Sequence, residues 1–345
     1  MQHYFLFFCA FLLGVSFARI GTAAANLGLA ETFGEWKILH GKTYGEHSEE
    51  HFRRLKVFES NSEWINEYNS KGLNHKLGLG PFADLTSEEF LRSKPRIRSR
   101  RRTESAAPPS IPNDVPPAID WRKHNAVTAV GNEAACGGAC WAFAAIGAVE
   151  GFHAIQSGSL VSLSAQELVD CDKASLGCDG GYVNSAFVWI IENGGIASRA
   201  AYPFRPQQPK AGACNTSVPP SARIKGYGNV TSGCRVCMEE SVAKQPVAVA
   251  VWALSGTAGK IWQHYKSGVM SDVQGCNATQ LEELDHAVLV VGYGATPDAN
   301  EEYWIVKNDW GEKWGDNGYI YLGRNVQGAT SAGVCGITLD ANYPF

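Results

Sequence analysis

Beyond its first eighteen residues the 345-residue chain has no apolar stretch long enough to cross a bilayer, so no membrane-spanning helix is expected there. Charge is sparse as well, at 19 % of residues, and basic residues crowd together only once, in R-S-K-P-R-I-R-S-R-R-R from Arg92. With no further basic cluster, a nucleic-acid partner is excluded. The third absence is an even count of cysteines. There are ten, and setting aside Cys9 with the leader described below leaves nine. In an oxidising compartment, where cysteines pair, at least one thiol then stays free.

What is present favours an ordinary globular chain: 45 % of residues are hydrophobic, enough to bury a full core. The apolar run Tyr4 to Val15, followed by Ser16-Phe17-Ala18, has small residues where signal peptidase cuts. It is shorter than the roughly 20 residues of a bilayer span. Residues 1–18 are therefore read as a secretory signal, and the product is expected in a lysosome or vacuole or outside the cell. The sequons at Asn215, Asn229 and Asn277 fit that route, although such tripeptides also arise by chance.

From Glu31 to Phe90 the texture is charged and helical in period. Glu50, Arg54, Phe58, Asn61, Ile65 and Asn69 recur at steps of three and four, one stripe of a long amphipathic helix. Residues 92–117 are first basic and then proline-rich, an exposed linker open to proteases. The triplet Arg100-Arg101-Arg102 within it is either a processing site or a solvated patch. A boundary falls here, giving units 19–112 and 113–345. Lys and Arg number 15 against 22 Asp and Glu from residue 111 onward, and 15 against 12 before it, so the two parts attract. Acid that protonates carboxylates weakens that attraction. Past the boundary, Trp141–Ile155 and Ser164–Val169 read as helices. Val247–Val251, His286–Val291, Tyr303–Val306 and Tyr319–Tyr321 read as strands. Helices first and strands after predict an α+β chain with a helical lobe against a sheet-rich lobe, the site lying in the cleft between.

The chemistry starts at C-G-G-A-C-W-A-F, Cys136 to Phe143. Cys140 immediately precedes a helix, where free backbone amides and the helix dipole favour thiolate. A cysteine nucleophile needs a proton acceptor and a group that orients it. His286, opening the strand D-H-A-V-L-V-V-G-Y-G, and Asn308, in W-I-V-K-N-D-W-G beside Trp310, can fill those roles. Taken singly, His286 also reads as a buried structural histidine and Asn308 as a turn former.

With those residues go G-L-G-P-F-A-D from Gly78, I-D-W-R-K from Ile119, Q-E-L-V-D-C from Gln166, G-C-D-G-G from Gly177 and K-N-D-W-G from Lys307. Together they resemble the papain family of cysteine proteases, in its cathepsin L-like branch, from about Phe33 to the C-terminus. His286 and Asn308 follow Cys140 by 146 and 168 residues, the order that family uses. The resemblance implies a two-lobe α+β fold, a helical lobe plus an antiparallel β-barrel-like lobe, behind a helical inhibitory propeptide at 19–112. It also implies an endopeptidase made as a zymogen. Cys140 would be the nucleophile, His286 the base and acid, and Asn308 the orienting residue, with the oxyanion held by the Cys140 amide and the side chain at position 133. It further implies disulfides Cys136–Cys178, Cys171–Cys214 and Cys276–Cys335, no cofactor or metal, and a monomer. The implied partners are peptide substrates, its own propeptide and cystatin-type inhibitors. Cys234 and Cys237 have no family partner; a local disulfide is the first reading, ahead of a zinc or redox role. Gly180 and Gly181 would present backbone to substrate. Tyr182, Ala250, Leu284, Ala287 and Asp340 would line an S2 pocket for bulky apolar side chains, Asp340 tolerating basic ones unless it is a plain surface residue.

The chain departs from the family pattern N-Q-G-x-C-G-S-C-W, reading N-E-A-A-C-G-G-A-C-W from Asn132. Glu133 replaces the glutamine, and one residue is inserted, which Gly137 and Gly138 are expected to absorb. An ionised carboxylate can only accept hydrogen bonds, whereas a protonated one can donate. Activity is therefore expected only at acidic pH; the alternative is an inactive homologue acting as a binding or scaffold protein. Asp309 stands where serine is usual, and Gly80 where asparagine is.

Overall fold

The computed structural model describes residues 31–94, 115–297 and 301–345. The leader, Cys9, the arginine triplet and the boundary near residue 112 lie outside the described residues.

Helix α1 covers 31–40 and α2 Glu49–Asn69. Ser48 caps α2 by accepting the His51 N–H, and Glu49 and Glu50 sit in its first turn, where the helix dipole favours anions. The stripe foreseen in the sequence faces inward: Phe58, Asn61 and Ile65 are buried with Tyr68. Its polar members are ties. Arg54 meets Glu50 at 2.7 Å and Glu89 at 2.9 Å, and Asn61 donates to the carbonyls of Ala83 and Leu85 at 2.9 and 3.0 Å. Strand β1, Lys76–Leu77, and helix α3, Ser87–Ser93, follow; α3 opens on a reciprocal Thr86–Glu89 cap. Lys94, just past α3, is only 4 % exposed. Exposure expected from residue 92 onward thus fails at Lys94, whose ammonium lies over the Phe82 and Trp310 rings at 5.3 and 5.4 Å.

The second part contains β2 (Ile119–Asp120), α4 (Cys140–Ser157), α5 (Ala165–Cys171), α6 (Val183–Glu192), β3 (Tyr227–Asn229), α7 (Arg235–Lys244) and β4 (Val247–Val251). Then come α8 (Gly256–His264), β5 (Tyr265–Ser267), β6 (Val269–Met270), β7 (His286–Ala295), β8 (Glu302–Lys307), β9 (Tyr319–Gly323) and β10 (Ala341–Pro344). Eight strands form one sheet in the order β3-β10-β4-β7-β8-β9-β6, with β2 also on β7. All pairs are antiparallel except β6–β9. Among the described residues the barrel-like lobe of this two-lobe α+β fold is an open sheet: its edge strands, of three and two residues, do not pair with each other.

Strand β7 divides two cores. Ala287, Leu289 and Val291 enter the helical core with α4, while Val288, Val290 and Tyr293 enter the sheet core. Period-two alternation on a strand buried on both faces makes it the wall between the lobes. Helix α4 lies close on that wall because Gly147 has no side chain; a Cβ there would come 2.7 Å from Leu289. The close approach sets Cys140, at the start of α4, near His286, at the start of β7.

The N-terminal part docks on the sheet-rich lobe. β1 pairs antiparallel with β5, the Gln263 amide donates to the carbonyls of Phe82 and Leu85, and the Tyr68 hydroxyl donates to Asp272 at 2.6 Å. Trp64 packs 5.9 Å from the His264 ring. Disulfides join Cys136–Cys178, Cys171–Cys214, Cys276–Cys335 and Cys234–Cys237, and Cys140 is a free thiol.

Candidate active site

Cys140 is the first residue of α4, after Ala139, which offers no side-chain cap. Segment 133–139 reaches it in two tight turns, with the Cys136 N–H donating to the Glu133 carbonyl and the Ala139 N–H to that of Cys136. The extra residue is taken up without moving Cys136 from its bond to Cys178. The left-handed position falls on Ala134 (φ 47°), not on the Gly137-Gly138 pair expected to absorb the insertion. The side chain of Asn132 steadies that turn by accepting the Ala134 N–H at 2.9 Å.

His286 Nε2 and Asn308 Oδ1 are 2.8 Å apart and buried. If Nε2 carries the proton, Nδ1 is the free acceptor, a tautomer the amide oxygen selects. Trp310 stacks on the imidazole at 4.8 Å and Trp262 stands edge-on at 6.0 Å. Burial pushes the imidazole down to about 3, against the Asn308 hydrogen bond and with help from the Lys94 charge.

The thiol moves the other way. Burial raises it well above its ordinary value, and the charges of Glu133 and Asp309 add to that, outweighing backbone amides at Ala287 and Trp141. Desolvation and two nearby acids thus oppose the thiolate expected from a helix N-terminus, and desolvation likewise opposes a charged imidazole.

Glu133 is fully buried and accepts a hydrogen bond from Lys94 Nζ at 2.7 Å. Burial raises its carboxyl to about 7, with the ammonium pulling down. Asp309, 4 % exposed, has Oδ1 3.7 Å from His286 Nε2. Burial, then the Glu133 charge, push it well above the carboxylate range. Sequence reasoning missed Lys94 as a partner of this site, because it stands in a basic run that reads as solvated. Asp309 carried a signal only as a departure from a pattern.

The structure brings Ala250, Leu284 and Ala287 into one buried cluster with Cys140 and Leu339. Asp340 is half-buried, its carbonyl accepting the Ala250 N–H at 2.9 Å and its carboxylate the Asn342 amide at 2.8 Å. Gly180 takes φ 112°. Gly181 lies against the Trp141 ring, 2.5 Å from where its Cβ would stand, and Tyr182 follows at the start of α6. Among the described residues, no cluster of His, Cys, Asp or Glu is arranged to hold a metal ion.

Known proteins agree with this arrangement over most of the chain. Residues 115–345 match the papain family cysteine protease pattern, and residues 33–90 the cathepsin propeptide inhibitor domain. The probable cysteine protease RD21B of Arabidopsis thaliana is 38 % identical across 94 % of this chain, which spans 68 % of that protein. Cysteine proteinase EP-B 1 of Hordeum vulgare is 39 % identical, with 92 % of this chain and 84 % of that one covered. Among solved structures, the recombinant stem bromelain precursor superposes with a TM-score of 0.80 at 39 % identity, covering 92 % of this chain and 98 % of that one. The proform of the ragweed pollen allergen cysteine protease Amb a 11 reaches 0.80 at 34 % identity, covering 92 % and 94 %. Fold, paired cysteines and prosegment thus converge with sequence likeness, and the chain belongs to the papain family of cysteine proteases, with a cathepsin propeptide inhibitor domain ahead of its peptidase part.

Proposed function

We propose that Cys140, His286 and Asn308 hydrolyse internal peptide bonds of proteins once the prosegment has been removed. The supporting observation is the 2.8 Å contact between Asn308, just past β8, and His286, which opens the strand packed against the helix that Cys140 begins. His286 takes the thiol proton as sulfur attacks the substrate carbonyl, then gives it to the departing amine. Water, deprotonated by His286, next cleaves the thioester. The Cys140 amide and a protonated Glu133 donate to the oxyanion, which restricts turnover to acidic pH. Losing such a donor costs roughly a hundredfold to a thousandfold in rate.

Substrate lies along Gly180 and Gly181, and its P2 side chain enters a pocket of Tyr182, Ala250, Leu284, Ala287 and Asp340. The pocket favours bulky apolar residues and accepts Arg at Asp340. The prosegment of 19–112 keeps the 113–345 peptidase latent, and cystatin-type proteins block the mature cleft. The enzyme works as a monomer in the secretory route, in a vacuole, lysosome or extracellular space; exposure of the Asn215 and Asn277 sequons suits that route.

The test is alkylation of acid-matured protein by iodoacetamide from pH 4 to 8, beside hydrolysis of a Leu-Arg dipeptide amide and a Cys140→Ala control. Labelling of Cys140 with turnover at low pH is expected. Labelling without turnover at any pH overturns the reading.

A further inference from the structure

Two buried carboxyls flank the Cys140–His286 pair, and Lys94 of the prosegment acts on both, but hydrogen-bonds only Glu133. Glu133 faces Lys94 of the prosegment at 2.7 Å. Asp309 faces His286 Nε2 at 3.7 Å and the Lys307 ammonium from β8. The Glu133 backbone N–H donates to the Asp309 carbonyl at 3.0 Å, so the segments that carry them move as one. Both Asp309 carboxyl oxygens are buried with no hydrogen-bond partner. A cavity of about 40 Å³ beside Asn308 and Asp309 is also lined by Lys307, Glu150 and Arg199. The titratable and charged groups around the pair are thus Lys94 from the prosegment, Cys140 and Glu150 on α4, His286 on β7, Lys307 on β8 and, across the cavity, Arg199.

Two acids in one low-dielectric site do not both ionise readily; they share a charge. While Lys94 is in place, any single charge the two acids carry belongs on Glu133, which alone is hydrogen-bonded to the ammonium. Maturation removes Lys94, yet leaves His286 and Lys307 beside Asp309. Both acids lose the Lys94 charge, but Glu133 loses a hydrogen-bonded partner with it, whereas Asp309 keeps Lys307 and His286 beside it.

We propose that Asp309 is a positioning residue of the hydrolytic site: when the prosegment leaves, one proton passes from the Asp309 carboxyl to the Glu133 carboxylate. Glu133 becomes an O–H donor to the oxyanion, and Asp309 becomes the counter-charge of the His286 imidazolium. At a pH where the pair carries one negative charge, it carries that charge before and after, so the step needs no other reactant. The two departures from the family pattern then act as one device. This rests on Glu133 as the oxyanion donor.

The experiment compares matured native enzyme with Asp309→Asn, Glu133→Gln and the double variant, reading kcat/KM and the iodoacetamide rate from pH 4 to 8. In Asp309→Asn the upper pH limit of turnover should fall by about one unit, because nothing then keeps the proton on Glu133. The upper limit of alkylation should fall too, as the imidazolium loses its counter-charge. In the Glu133→Gln background, where the donor cannot ionise, Asp309→Asn should move turnover no further than it moves alkylation. Asp309→Ser, the residue usual in the family pattern, serves if the asparagine variant does not fold. Native and Asp309→Asn profiles that superpose in both assays overturn the proposal. A native enzyme that labels but never turns over, while Glu133→Gln does, sinks the reading of Glu133 instead, and the alkylation profiles still judge Asp309.

Discussion

Lys94→Met tests the electrostatics of the latent site, because it leaves an unbranched apolar side chain and deletes the ammonium that bonds Glu133 and lies over the Phe82 and Trp310 rings. Glu133 titrates near 7 even with Lys94 beside it, burial outweighing the ion pair, and without the ammonium its carboxyl moves higher still. Below pH 7 the carboxyl is protonated in both proteins, and the substitution costs little. Above pH 7 the native zymogen gains an ionised, paired Glu133, while the variant keeps the proton or buries a lone charge. The stability gap should therefore widen by about 1.4 kcal/mol per pH unit. Its ceiling is the roughly 3–5 kcal/mol of a broken buried ion pair. The assay is urea unfolding at pH 5, 6, 7, 8 and 9, both proteins carrying Cys140→Ala to prevent self-cleavage. A gap that is already large at pH 5 and flat to pH 9 would refute the reasoning, as would no gap at pH 9.

Three further outcomes follow from particular residues. Ala134→Gly should stabilise the zymogen by about 1 kcal/mol, read as a higher Tm, because alanine is held at φ 47° where glycine is unstrained. His264 lies buried under Trp64 with both ring nitrogens unpartnered, and burial, with the Lys260 charge, depresses it to about 3. A histidine depressed on folding stabilises fully above its ordinary 6.5 and loses that contribution as pH falls toward 3, by about 1.4 kcal/mol per unit. His264→Phe should therefore move prosegment release to lower pH, and an unchanged midpoint counts against it. Asp340→Ala should lower the Arg-to-Leu preference at P2 of dipeptide amides; an unchanged ratio removes Asp340 from the pocket.

Much of the fold was legible in the sequence. The stripe from Glu50 to Asn69 became α2, and the runs at 247, 286, 303 and 319 became β4, β7, β8 and β9. These readings work because burial on one face leaves a local period, and because caps such as Ser48, Thr86 and Ser164 use neighbours three residues away. Motif spacing singled out Cys140, His286 and Asn308 for the same reason, each being flanked by residues needed to hold it.

By itself the sequence determined the α+β order, the two-part layout, the odd free thiol and the residues capable of the chemistry. Tertiary structure alone decided that the sheet stays open and that the strained turn falls on Ala134. It also decided that Lys94 crosses 39 positions to meet Glu133 and that burial works against charge on both Cys140 and His286. The physical reason is common to the last two. The cost of a charge depends on how much water is left around it and on which other charges stand within a few ångströms, and a chain acquires both only when it packs.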